Sequence, residues 1–253
     1  MFDFRSTIES MELPPKAMRY ADCYLENYIQ GYLTLDVYGR EALELSIQSE
    51  EVYVGSIIAT QQIKSRSLII EYGILTEGFE DGQKKFNKLK QYLFRVNDVP
   101  ISFKDEDTII FYGRLSNITQ PEYHTRDFAT GKIEIFCQDP LKYSRLKESG
   151  NEITINSPVE TTPRKIEVKM IGSSSLQIKN TTTGKLIKIT GASIYSGNTV
   201  TFDFDKGKVF VNDVDRTAIL DLESDFENFF IHRGDKLTCS NGTMKIYGSE
   251  VYL

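Results

Sequence analysis

Tryptophan is absent from this chain, histidine occurs twice and cysteine three times. Each scarcity excludes something. Cys23, Cys137 and Cys239 are odd in number and far apart, with no CxxC pair and no Cys/His cluster. They give no framework for a zinc site and read as reduced thiols of a protein made in a reducing cytosol. His124 and His232 have no partner in sequence, so a Ser-His-Asp or Cys-His arrangement has no local support. Each reads as a surface or internally satisfied residue. Without Trp, the usual aromatic platform of a sugar site is missing. No run approaches the roughly 18 apolar residues of a membrane span. The opening MFDFRSTIESMELPPK lacks the basic-then-apolar order of a signal peptide. No GxxxxGK[ST], GxGxxG or GxSxG pattern occurs. No catalytic, cofactor-binding or metal-binding residue is therefore assigned.

Basic charge is also in deficit. The net charge is −6 over 253 residues, and both halves lean acidic. That disfavours binding to a polyphosphate backbone. What the chain does have is 15 Phe and 14 Tyr among many Ile, Val and Thr, a composition that favours strands. Its length suits two domains.

Residues 28–40 alternate Tyr32, Thr34, Asp36 and Tyr38 with Leu33, Leu35 and Val37, between Gly31 and Gly39. This predicts a half-buried strand. Residues 67–75 are nearly continuously apolar and fit a strand covered on both faces. Between residues 80 and 97, Phe86, Leu89, Tyr92, Leu93 and Val96 recur at helical spacing. Lys84, Lys85, Lys88 and Lys90 would form the solvated face of that helix. A strand at 99–103, a turn at Asp105-Glu106-Asp107 and a strand at 108–115 predict a hairpin. Residues 131–137 alternate again and stop at Gln138-Asp139-Pro140.

The second half changes character, to short strands separated by Gly, Asn, Ser and Thr. Strands are predicted at 153–155, 165–171, 176–179, 186–189, 200–204, 209–211, 229–232 and 244–247, which suggests an antiparallel sandwich. Asp203-Phe204-Asp205-Lys206-Gly207 begins like a calcium loop but lacks its remaining ligands. It reads better as a hairpin turn with Phe202 and Phe204 facing the core. Sequons at Asn117, Asn180 and Asn241 are short enough to arise by chance. The domain boundary falls between Pro140 and Asn151, giving domains 1–142 and 143–253.

The order of these elements resembles the siphophage distal tail protein (Dit) family. The passage carrying most of the resemblance is Phe136-Cys137-Gln138-Asp139-Pro140-Leu141-Lys142-Tyr143, close to a Phe-x-Cys-x-Asp-Pro strand exit, with Phe136 and Cys137 adjacent here. The hairpin from Phe103 to Tyr112-Gly113 is a second match. The resemblance implies a mainly β protein. Its N-terminal domain would be β-sandwich-like, with one α-helix and an extended hairpin that embraces a neighbouring subunit. A galectin-like antiparallel sandwich would follow. It implies a homo-hexameric ring, possibly stacked, at the end of the tail tube of a virion, synthesised in the host cytoplasm. Expected partners are the tail tube protein, a tail-associated lysin or fibre protein, and baseplate or receptor-binding proteins. No cofactor, membrane or specific nucleic-acid contact is expected, and DNA would pass through the ring. Tyr32, Leu33, Leu35, Val37 and Tyr38 are candidate subunit contacts, because pairing with another chain would bury an amphipathic extended segment. An ordinary internal strand is the other reading of that segment. Two rival functions remain: a carbohydrate-binding module using Tyr195 or Tyr247, and a cell-wall glycosidase using two facing carboxylates.

Overall fold

The computed structural model describes residues 13–172, 175–190 and 194–253. The opening residues 1–12, where most of the stretch weighed as a signal peptide falls, lie outside that description. The chain forms two compact units, dividing after Lys142, with the second running Tyr143–Tyr252.

The first unit is built on strands β1 (Met18–Tyr20), β2 (Cys23–Tyr24), β3 (Tyr32–Tyr38), β4 (Leu45–Glu51), β5 (Ser56–Ile63) and β6 (Arg66–Leu75). Next come β7 (Val99–Phe103), β8 (Glu106–Ile118), β9 (Glu122–Thr125) and β10 (Phe128–Cys137). A single-turn helix α1 (Leu25–Tyr28) precedes β3, and helix α2 (Phe79–Leu93) follows β6. The main strand order is β2-β1-β7-β8-β10-β6-β3, antiparallel throughout.

β8 joins two sheets. Its first part pairs with β7, from Phe103↔Glu106 to Val99↔Gly113. Its last part pairs with β10, from Phe136↔Arg114 to Ile133↔Ile118. A strand that changes sheets makes a corner, and the corner here falls at Gly113. A Cβ at Gly113 would lie 2.8 Å from both Cys137 Sγ and the Phe136 carbonyl oxygen, so only glycine passes there. Ile101, Phe103 and Phe111 from one sheet meet Leu68, Ile70, Ile133 and Ile135 from the other. Phe86, Leu89 and Leu93 of α2 join the same core.

The helix is shorter than its apolar spacing predicts. It ends at Leu93, Phe94 is extended, and Val96 is exposed rather than in the core. Arg114 explains the stop, because it donates to the Val96 carbonyl at 2.8 Å and to Asp98 Oδ1 at 2.6 Å, pinning the turn into β7.

The second unit includes β12 (Lys147–Ser149), β13 (Lys165–Met170), β14 (Ser175–Asn180), β15 (Leu186–Thr190) and β16 (Thr199–Asp203), after β11 (Lys142–Ser144) at the division. It continues with β17 (Lys208–Val211), β18 (Val214–Asp215), β19 (Leu237–Cys239), β20 (Gly242–Gly248) and β21 (Val251–Tyr252). A six-stranded sheet, β12-β20-β13-β16-β17-β18, and a three-stranded sheet, β15-β14-β19, enclose one apolar core. Inward residues alternate along the longer strands, as in Leu176, Ile178 and Asn180 of β14. This is the expected antiparallel sandwich. Two predicted strands are absent: residues 153–155 and 229–232 are irregular, with only isolated bridges beside or within them, Glu152 to Lys236 and Thr161 to Ile231. Ile153, Ile155, Phe229 and Ile231 are nonetheless buried, so their apolar pattern reports core packing without a ladder.

Candidate assembly surface

The chain between β3 and β6 leaves the first sheet through a fixed root. Gly39 ends β3 at φ +90°, where a Cβ would stand 2.2 Å from the Ser67 carbonyl oxygen. No other residue suits that position. Arg66, the first residue of β6, is buried. Its guanidinium donates to the Pro140 carbonyl at 2.8 Å, to the Gly39 carbonyl at 3.0 Å and to the Arg40 carbonyl. It lies 5.8 Å from the centre of the Phe111 ring. Burial lowers its pKa, yet a guanidinium stays charged.

Ion pairs surround this root. Arg40 forms a two-pronged bond with Asp105 at 2.8 and 2.9 Å, which raises the arginine's pKa. Glu41 accepts from Lys142 at 2.8 Å, which lowers the Glu41 pKa. Glu44 and Lys64 pair across the base of the segment that follows.

Beyond the root, β4 and β5 pair, among the described residues, only with each other, from Leu45↔Ile63 to Glu51↔Ser56. The Val52 N–H donates to the Gly55 carbonyl at 3.1 Å and closes the tip. Ile47, Val52, Tyr53, Val54, Ile57 and Ile58 are all exposed, Val54 at 82% and Tyr53 completely. A lone two-stranded hairpin is marginal in water, and its outer edges carry unpaired backbone groups. Apolar side chains gathered on such an element mark a surface that another protein covers.

The five residues first suggested as contacts sit on β3, which pairs along its length with β6. Tyr32, Leu33 and Val37 are buried inside the domain, and Tyr32 stacks on Tyr72 with ring centres 5.8 Å apart. Leu35 is half-buried at a bulge, and only Tyr38 is exposed. The candidates at 32–38 thus lie on a strand that β6 pairs along one edge and that ends the sheet, while the exposed apolar side chains gather on residues 45–63. A period-two reading misses β5 because Ile57 and Ile58 are consecutive in the chain and a bulge at Ala59 then shifts the phase.

The other sequence candidates do not converge. His124 lies in the first unit, exposed, with Nε2 2.6 Å from Thr130 Oγ1. His232 lies in the second, with Nδ1 3.8 Å from Asp235. Burial pushes the Cys137 thiol up to about 12 and the Cys239 thiol up to about 11, away from reactive thiolates. Tyr247 donates to Glu167 at 3.3 Å with Lys165 over its ring, so its face is occupied, whereas Tyr195 is exposed. Asn180 of the middle sequon is fully buried and donates to Asp235 at 2.7 Å. The stretch 203–207 is the turn between β16 and β17, with Phe202 buried and Phe204 partly so. Among the described residues, no group of three or more His, Cys, Asp or Glu is placed to hold a metal ion. No helix among them is long and apolar enough to cross a membrane.

The described residues thus form two antiparallel β units, the first carrying an exposed apolar arm on a braced root. Known proteins share this build. Residues 156–251 match the model of the siphovirus-type tail component, C-terminal domain. The distal tail protein of Bacillus phage SPP1 is 25% identical over 207 residues, covering 77% of this chain and 81% of that protein. The crystal structure of SPP1 Dit, described as a paradigm of the hub adsorption apparatus in phages infecting Gram-positive bacteria, superimposes with a TM-score of 0.77. It does so at 20% identity, covering 94% of this chain and 99% of that one. A chain of the phage p2 baseplate in its activated conformation with calcium gives 0.57 at 10% identity over 89% and 92%. At those identities the two structures speak for the fold. The sequence matches add that this chain is similar to siphophage distal tail proteins.

Proposed function

We propose that this chain assembles into a ring of six copies at the tip of the tail, where it serves as the structural hub for host adsorption and catalyses no reaction. The β4–β5 hairpin carries the reading, because it is an apolar element that its own domain leaves uncovered. Each copy lays this arm on the next. A head-to-tail contact of that kind closes when its rotation returns on itself. The first domain forms the ring and the second extends from it to hold baseplate or receptor-binding proteins, while the tail tube and a lysin or fibre protein meet the two faces of the ring. The excess of acidic residues in the first 150 positions favours a lumen that lets DNA pass without binding it.

Light scattering on the purified chain over a concentration series tests this. A mass of six or twelve subunits is expected. A chain that stays monomeric alone and also in the presence of its tail tube protein would falsify the ring.

A further inference from the structure

The hairpin and helix α2 are opposite in charge. Between Arg40 and Lys64 there is no basic residue, and the end of the arm carries Glu50 and Glu51 beside Val52, Tyr53 and Val54. Between Asp81 and Asp98 there is no acidic residue, and that stretch carries Lys84, Lys85, Lys88, Lys90 and Arg95. In a chain of net charge −6, this is a concentrated basic surface. Lys85 is taken by Asp81 at 2.8 Å. Lys84, Lys88 and Gln91 form an exposed stripe at helical spacing, with half-exposed Arg95 at its end. At that end Phe94 is 70% exposed and Val96 75%, an apolar pair that the domain leaves uncovered. The arm and the stripe are both exposed in the same chain, so the arm does not lie on its own helix.

We propose that the tip of the hairpin docks on α2 of a second copy, with Glu50 and Glu51 against Lys84, Lys88 and Arg95, and Tyr53 and Val54 against Phe94 and Val96. This rests on the self-assembly reading above and names the surface that receives the arm. Each side joins an apolar pair to like charges of the complementary sign, the arrangement that fixes register and suppresses wrong partners. The eight residues of β5, at a rise of ~3.3 Å per residue, carry the tip about 26 Å from its root, clear of its own domain.

Two charge-reversed full-length chains provide the test: Glu50→Lys with Glu51→Lys on the arm, and Lys84→Glu with Arg95→Glu on the stripe. All four side chains lie at the surface of the fold, and circular dichroism verifies that each variant folds. Each variant alone now opposes like charges, and its self-association weakens by about tenfold or more in light scattering. Mixing the two restores assembly, since every arm in the mixture can meet a stripe of opposite sign. Combining all four substitutions in one chain restores it as well. If the arm variant dissociates but neither mixing nor combination restores the mass, the arm is used and docks elsewhere, which overturns this inference and leaves the ring standing. Unchanged mass in both variants also overturns it alone. A wild-type chain monomeric throughout removes the self-assembly reading and this inference with it.

Discussion

Arg66 does with one side chain what the first domain needs at its weakest junction. The carbonyls of Gly39, Arg40 and Pro140 all turn toward it, and each would otherwise be a buried or half-buried acceptor competing for water. Replacing Arg66 with Met keeps some of the packing on Phe111 and removes this donor from all three carbonyls, of which Gly39 alone keeps a second one, the Ala42 N–H at 3.3 Å. A loss of about 3 kcal/mol is expected in urea unfolding, because buried acceptors left unpaired cost more than the bonds contribute. Lys at the same position recovers little, since a single ammonium cannot reproduce the planar fork. Glu26 makes a contrasting case. Its Oε1 accepts the Thr34 N–H at 3.0 Å, while Oε2 is buried with no hydrogen-bond partner. Burial raises its pKa above the ordinary glutamate value. The folded chain therefore holds that proton more tightly than the unfolded chain. Stability from this site is full below the unfolded pKa, near 4.3, and falls as pH rises through the folded value. Glu26→Gln is expected to melt at higher temperature than wild type at pH 7, by about 1 kcal/mol of stability. The two curves should converge below pH ~4. Equal differences at both pH values in a thermal-melt series would contradict this account.

Elements differ in how plainly the sequence announces them, and the difference follows from what covers each one. β6, β10 and α2 are covered within the chain, so selection for burial leaves period-two or helical spacing in their residues. The β7–β8 hairpin shows for the same reason, although its turn falls at Lys104-Asp105, one position earlier than the acidic run suggests. The β4–β5 arm has no cover among the described residues. Its apolar residues are interrupted by Gln48, Ser49, Glu50 and Glu51, and the bulge at Ala59 shifts the phase of β5. An element with no intrachain face to fill carries no such spacing, whereas residues 32–38, paired with β6, alternate. The arm should be separable from the domain that bears it. Its base is already closed by the Lys64 N–H to Glu44 carbonyl bond at 2.9 Å. Joining Glu44 to Lys64 through a two-residue Asn-Gly turn suits that base. The shortened chain is expected to keep the melting temperature of the monomer within a few degrees and to lose its higher-order mass. Collapse of the near-ultraviolet circular dichroism spectrum would show instead that the arm is part of the domain's own stability.

At the scale of the whole molecule, the two cores are described by separate sets of residues, one from Met18 to Cys137 and one from Ile153 to Ile246. The second core contains its own polar anchor. Asp235 is buried, and its Oδ2 accepts from Asn180 Nδ2 at 2.7 Å and from the His232 N–H at 3.0 Å. Asn180 Oδ1 in turn accepts the Thr182 N–H at 3.0 Å. This network ties the end of β14 to the segment leading into β19 within the second unit. A fragment spanning 143–252 therefore has a closed apolar core and satisfied buried polar groups, the conditions for folding alone. It is expected to unfold in one cooperative transition, with calorimetric and van't Hoff enthalpies equal. Asp235→Ala in that fragment leaves the buried Asn180 amide without its acceptor and is expected to cost about 2–3 kcal/mol. A fragment that binds hydrophobic dyes and melts without a sharp transition would mean that its core is completed by the first 142 residues. In that case the two units would unfold as a single cooperative body, whereas a sharp transition would show that the second folds without the first.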